Sequence, residues 1–227
     1  MSAAAGVVET ALAGERVALL PERALWWPRE RTLVVADLHW GKDAAFAAGG
    51  VPLPPGTTAD DLARLDRALA RTGAARLILL GDLFHARSSR TPGVLSALAA
   101  WRARHADLDV LSIRGNHDRH AGDPPAALRF AVHDAPLPLG PFVLHHEPAG
   151  AGSGTAVGYG LAGHLHPVAV VRGPARLRAR LPCFFLGAAG AVLPAFSAFT
   201  GGLELRPSAG DRVYVVADDE VVPLVRV

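Results

Sequence analysis

The chain has 227 residues and a mass of 23.7 kDa; half of its residues are hydrophobic and 19% are charged. That balance excludes disorder over most of the length, and no apolar run approaches the ~20 residues a membrane-spanning helix needs. A net charge of +2 is too small to argue for nucleic-acid binding by itself.

The N-terminal stretch carries Glu9 and Glu15 and no basic segment, so it reads as a poor signal peptide. Of Trp26 and Trp27, one ring is expected in the core and the other partly exposed; a base-stacking platform is the sharper alternative. Thr32–Ala36 is a short β-branched apolar run and predicts a buried strand. Residues 60–72 place apolar side chains at 62, 65 and 69, a helical spacing. Thr57 or Thr58 is expected to cap that helix and Gly73 to close it. Arg76–Leu80 predicts a second strand, and residues 91–105 a second helix with Pro92 in its first turn. His105, at that helix's end, is expected to meet the helix dipole. Asp109–Ile113 predicts a third strand. Strand–helix–strand–helix–strand at this spacing implies right-handed crossovers and a parallel sheet.

Beyond about residue 131 no helix is expected. Short strand-like runs at 142–145, 159–162, 168–172, 177–186, 191–193, 203–205, 212–217 and 220–225 are punctuated by Gly and Pro. They predict a second, mostly antiparallel sheet. Residues 150–154 (GAGSG) read as a flexible surface loop. There is no internal repeat and no linker long enough to separate domains, so residues 1–227 are read as one domain. The single cysteine, Cys183, lies in an apolar run; it excludes an intramolecular disulfide framework, suits a reducing cytoplasm and reads as an inert buried thiol.

Two counts stand out: ten histidines, and one lysine (Lys42) among 23 Lys plus Arg. The histidines cluster. Asp37-Leu38-His39 follows the first strand, Gly81-Asp82 the second and Gly115-Asn116-His117-Asp118 the third. His145-His146 and Gly163-His164-Leu165-His166 follow later runs. Groups just beyond strand carboxyl ends converge on one edge of a sheet. Carboxylate, amide and imidazole without thiolate suit Mn²⁺, Fe or Zn²⁺ in a working site rather than a structural zinc. Asp37, His39, Asp82, Asn116, His146, His164 and His166 are too many for one ion; a shared Asp82 would let two sit about 3.5–4 Å apart. Strand alternation puts His145 and His146 on opposite faces, so only one of them can ligate. Arg114, Arg119, His85, Arg87 and Arg90 flank the blocks and offer substrate contacts, as does Lys42, a compact charge close to Asp37 and His39. Arg172, Arg176, Arg178 and Arg180 alternate with apolar residues and read as the solvated face of a strand. His120 and His133 read as surface residues.

DLH, GD, GNHD, a strand-end His and GHLH, in that order, resemble the binuclear metallophosphoesterases of the calcineurin-like superfamily. ALWWPRERTLVVADLHWGK, GDLFHAR, HHEP, GHLHP, LPCFFLG and LPAFSAFTGG are similar to the PdeM group, the ligase-associated DNA damage response endonucleases. Trp40 stands where that group has Leu, and Ala47 where it often has Arg. The resemblance implies a four-layer αββα sandwich of two mixed sheets flanked by helices. It implies one metal on Asp37, His39 and His166, a second on Asn116, His146 and His164, and Asp82 bridging; its His-Glu-Pro pattern selects His146 over His145. It implies Mn²⁺ as the ion, single-stranded or damaged DNA as substrate, and functional association with a DNA ligase, an exonuclease and a helicase. Hydroxide formed at the metals would attack phosphorus while Asn116 and the metals offset charge on its oxygens; His117 would protonate the leaving group, with Asp118 orienting its ring. A phosphomonoesterase or nucleotide hydrolase shares this core. A non-catalytic scaffold of the same fold would have lost catalytic histidines, which this chain keeps. Oligomeric state is open, a homo-oligomer included.

Overall fold

The computed structural model describes residues 6–51, 54, 56–148, 158–172 and 178–224. The loop expected at 150–154 and Arg176 lie outside them. The first sheet runs β1 (Val8–Leu12), β2 (Glu15–Leu20), β3 (Ala24–Trp27), β4 (Thr32–Ala36), β5 (Arg76–Leu80), β6 (Asp109–Ile113) and β7 (Ala131–His133), in that spatial order. Neighbours are antiparallel from β1 to β4 and parallel from β4 to β7. Between these strands lie α1 (Lys42–Ala48), α2 (Thr57–Thr72), α3 (Pro92–Arg104) and the short α4 (Asp118–Ala121).

The second sheet holds β8 (Leu137–Leu139), β9 (Phe142–Leu144), β10 (Tyr159–Ala162), β11 (Pro167–Arg172), β12 (Arg178–Leu186), β13 (Gly190–Val192) and β14 (Leu203–Glu204). β15 (Arg212–Ala217) pairs with β12, and β16 (Glu220–Pro223) with β15. Most of its pairs are antiparallel, as the sequence implies. The parallel pairs β9–β10 and β10–β13 lie at its centre and carry the histidine blocks.

β4 and β5 are buried on both faces, which is why they read as continuous apolar runs. Their odd-numbered residues Leu33, Val35, Leu77 and Leu79 meet Leu62, Leu65 and Leu69 of α2 and Leu98 and Trp101 of α3. The even-numbered Val34, Ala36, Ile78 and Leu80 meet Phe142, Leu144, Leu161, Phe184 and Leu193 across the inter-sheet core. Trp27 joins that core edge-on to Phe142, 4.9 Å between ring centres, while half-buried Trp26 packs on the helix side. The two mixed sheets flanked by helices are therefore present, with the helices gathered on the first sheet. Among the described residues no helix follows Leu128. The outer face of the second sheet carries a small apolar cluster of Ala169, Cys183, Val213 and Val215 instead. Burial pushes the Cys183 thiol up to about 12, so it is inert as expected. No helix among the described residues is long and apolar enough to cross a membrane.

Two local expectations are corrected. Neither Thr57 nor Thr58 caps α2; both lie inside its first turn, where the Thr58 hydroxyl accepts the Gly41 N–H at 2.9 Å. At the other end of the helical layer, His105 does more than meet a dipole. Its Nε2 lies 2.7 Å from Asp66 Oδ1, tying the end of α3 to α2. Thr91 does cap α3, accepting the Val94 N–H.

Candidate metal centre

The register of the first sheet builds the site. Ala36, Leu80 and Ile113 are paired neighbours, so Asp37, Gly81-Asp82 and Gly115-Asn116 leave β4, β5 and β6 side by side. In the second sheet Leu144 pairs with Leu161, which sends His145-His146 and Gly163-His164 out together. The two edges are stitched by a parallel bridge between Ala36 and Ala195, with the Phe196 N–H donating to the Ala36 carbonyl at 2.8 Å. Backbone must approach side chain closely here. A Cβ on Gly115 would collide with the Asp82 carboxylate and backbone, and one on Gly163 with Asp37. The glycines of the GN and GH blocks are steric requirements of the site.

All seven residues expected to ligate converge. Ligand atoms of Asp37, His39 and His166 lie within 4.8 Å of one another, as do those of Asp82, His146 and His164. Asn116 Oδ1 joins the second group, 2.8 Å from His146 Nε2 and 3.0 Å from His164 Nδ1. Asp82 stands between the groups, Oδ2 3.8 Å from His39 Nε2 and Oδ1 3.4 Å from His146 Nε2. His146, not His145, enters the cluster; the His145 backbone N–H instead donates to the Leu161 carbonyl.

The donor chemistry fits divalent cations. His146 Nδ1 lies 3.0 Å from the Leu80 carbonyl and His166 Nδ1 3.0 Å from that of Gly201. A carbonyl only accepts, so the proton sits on Nδ1 and each Nε2 lone pair faces inward. His39 Nε2 and His166 Nε2 then meet at 3.3 Å, and His39 Nδ1 is buried without a partner. Burial, reinforced by His166, His117 and Lys42, holds His39 far below its ordinary range, in the neutral form a metal takes. Burial also raises Asp82, outweighing His146 and the His117 N–H, which act to lower it. His166 is raised: burial acts to lower it, and the Asp37 carboxylate outweighs that.

Five of the seven sit in left-handed backbone: Asp37 (φ 56°), His39 (45°), Asp82 (52°), His164 (68°) and His166 (46°). Such residues cost about 1–3 kcal/mol each and gather where function requires them. The rest of the fold carries this strain to aim the side chains.

His117 lies beside both groups, Nε2 3.9 Å from Asp82 Oδ2, and its ring stacks on His85 with centres 5.0 Å apart. His39, His85 and His117 form a third close group. Burial, then His117 and Lys42, pushes His85 down to about 4. The expected role of Asp118 is corrected. Its Oδ1 accepts the Leu83 N–H at 2.9 Å and the Phe84 N–H at 3.5 Å, and its Oδ2 the Gly115 N–H at 2.9 Å. It braces the loops after β5 and β6 and does not touch the imidazole. The His85 carbonyl, 2.6 Å from His117 Nδ1, orients that ring instead. No sequence signal marks a backbone carbonyl. Asp118→Ala is therefore expected to cost about 1.5–3 kcal/mol in denaturant unfolding, with the pH profile of turnover unshifted.

The expected substrate contacts divide. Lys42 opens α1, is buried, and holds its Nζ 5.5 Å from the centre of the Phe46 ring; its charge is felt at His39, His85 and His166. Arg87 and Arg119 are exposed near the site. Arg114 is committed elsewhere, shared by Asp123 and Asp134 at 2.8–3.0 Å. Arg90 donates to the Ala121 carbonyl and covers Phe84, a bracing role.

A family model described as calcineurin-like phosphoesterase matches residues 30–172. Among solved structures, the chain is similar to the Pseudomonas putida nuclease MPE. Identity is 45% over 96% of this chain and 100% of that one, with a TM-score of 0.83. It also matches Yfce, a phosphoesterase from E. coli, at 16% identity and a TM-score of 0.44, over 84% of this chain and 96% of that one. No curated protein matches.

Proposed function

The chain belongs to the calcineurin-like phosphoesterase family and is a metal-dependent phosphoesterase, and from that premise we propose that it is a DNA endonuclease acting as one domain over residues 1–227. One observation carries the substrate: the likeness to a nuclease along essentially the whole chain. Single-stranded or damaged DNA, Mn²⁺, a cytoplasmic repair setting and association with a ligase, an exonuclease and a helicase complete the proposal. They rest on the resemblance to the PdeM group.

Asp37, His39 and His166 would hold one cation, Asn116, His146 and His164 the other, and Asp82 both. When bound, two such cations supply Lewis acidity and let water act as the nucleophile near neutral pH. The remaining steps belong to the chain. The Asn116 amide and the Lys42 ammonium offset charge on the phosphoryl oxygens, while His85, Arg87 and Arg119 hold the flanking backbone. His117 donates its Nδ1–H to the His85 carbonyl as a fixed hydrogen bond, so in the imidazolium form it is the Nε2–H that would protonate the leaving oxygen, leaving the neutral Nδ1–H ring.

The test offers Mn²⁺-loaded protein bis(p-nitrophenyl) phosphate, p-nitrophenyl phosphate and circular single-stranded DNA. Turnover of the diester and nicking of the circle are expected. Preference for the monoester would replace the nuclease reading by a phosphomonoesterase. Absence of turnover with every metal would favour a binding scaffold.

A further inference from the structure

The segment LPAFSAFTGG, residues 193–202, contributes no side chain to the metal centre. It forms the wall of a cleft of about 570 Å³ that opens beside His166 and is also lined by Arg23 and Arg180. Two observations mark the cleft as a binding site. Phe199 is the only aromatic among the exposed large hydrophobics of the described residues, 55% accessible, and its backbone is left-handed at φ 56°. Residues held in such disfavoured conformations gather at functional sites. The wall is also rigidly built. Arg23 Nη1 lies 3.4, 3.5 and 3.0 Å from the carbonyls of Ala195, Phe196 and Ser197, and Arg64, paired with buried Asp61 at 3.0 Å, donates to Phe196 as well. Arg180 reaches across to the Gly202 carbonyl at 2.7 Å. The Gly201 carbonyl of the same segment fixes the His166 ring, so the cleft is coupled directly to the metal centre.

We propose that this cleft is a nucleotide subsite: Phe199 stacks on the base next to the cleaved bond, and Arg180 and Arg23 receive the following phosphate. The chemistry commits to this occupant. An exposed ring and two guanidiniums that line one cleft with His166, a residue of the metal centre, match the alternation of base and phosphate along a single strand. Arg23 makes no ion pair among the described residues; its Nη1 is held by the wall carbonyls, and it lines the cleft together with Arg180. Arg180, which the sequence assigns to a solvated strand face, becomes a backbone contact. The subsite rests on the nuclease reading and explains how that activity selects a flexible strand.

The test compares wild type, Phe199→Ala, Phe199→Trp and Arg180→Gln, each with Mn²⁺. The substrates are a single-stranded DNA oligonucleotide and methyl p-nitrophenyl phosphate, a diester with no neighbouring nucleotide. Phe199→Ala is expected to lose about tenfold or more in kcat/KM on the oligonucleotide and less than about twofold on the small diester. Phe199→Trp should recover most of that loss. Arg180→Gln should weaken the salt dependence by about one phosphate contact. An oligonucleotide abasic beside the cleaved bond should lose the same factor with wild type and nothing more with Phe199→Ala. Anisotropy of a labelled oligonucleotide, without divalent cations, should give the same order of affinities. Equal loss on both substrates, or no loss on the oligonucleotide, would overturn the subsite alone. Wild-type failure on the oligonucleotide, with the small diester turned over, would overturn the nuclease reading and the subsite with it.

Discussion

Asp82→Asn is expected to reduce turnover by about 10³-fold or more, roughly 4 kcal/mol of barrier, and to abolish stabilisation by divalent cations. Asp82 is 2% exposed, and its two oxygens face one ligand group each. Asn preserves its shape and its hydrogen bond from the His117 N–H but removes the negative charge shared between two dications. The second readout is thermal. Wild type should gain about 2.7 kcal/mol at a cation concentration of 100 Kd, and the variant almost none. Without cations the order should invert near neutral pH. Burial raises Asp82 above its ordinary value, so its ionised form costs folded stability at pH values above its unfolded pKa. Asn escapes that cost, and the gap should close as acid protonates Asp82 in wild type. A variant with wild-type turnover and a wild-type cation shift would remove Asp82 from the site.

Much of this centre was legible because its signals are local. TLVVA and RLILL are buried on both faces, and such strands announce themselves as unbroken apolar runs. The polar block after each run then marks a sheet edge. What was hidden is of two kinds. The N-terminal hairpin turns at Ala13-Gly14, both with positive φ, where the recognisable signal would be Asn-Gly or Asp-Gly. α1, an Ala-rich segment of seven residues, is too short to show a period. The other kind is backbone. Nothing in the letters says that Asp37, His39, Asp82, His164 and His166 adopt left-handed conformations. Nor do they say that the carbonyls of Leu80, His85 and Gly201 orient three imidazoles. Asp118 shows the limit most clearly. Adjacency to His117 implies a carboxylate–imidazole pair, yet the first turn of α4 sends the carboxylate to the Leu83 and Gly115 N–H groups. The glycines did carry information: Gly115 and Gly163 are there because a Cβ would collide with Asp82 and Asp37.

His117→Ala is expected to lower turnover on DNA by about 10²–10⁴-fold while leaving cation stabilisation intact. The asymmetry follows from geometry. His117 Nδ1 is committed to the His85 carbonyl, and its Nε2 lies 3.9 Å from Asp82 at the margin of both ligand groups. The ring faces the reacting centre without completing either set of ligands. Its loss should therefore be felt in proton transfer and scarcely in cation affinity. The leaving group sharpens the test. Cleavage of DNA expels an alkoxide, which needs a proton as the bond breaks; p-nitrophenolate departs without one. Loss on bis(p-nitrophenyl) phosphate should thus be at least about tenfold smaller than loss on DNA. Equal losses on the two substrates would mean that the ring positions substrate rather than protonating the leaving oxygen. A vanished cation shift would instead make His117 part of the metal centre.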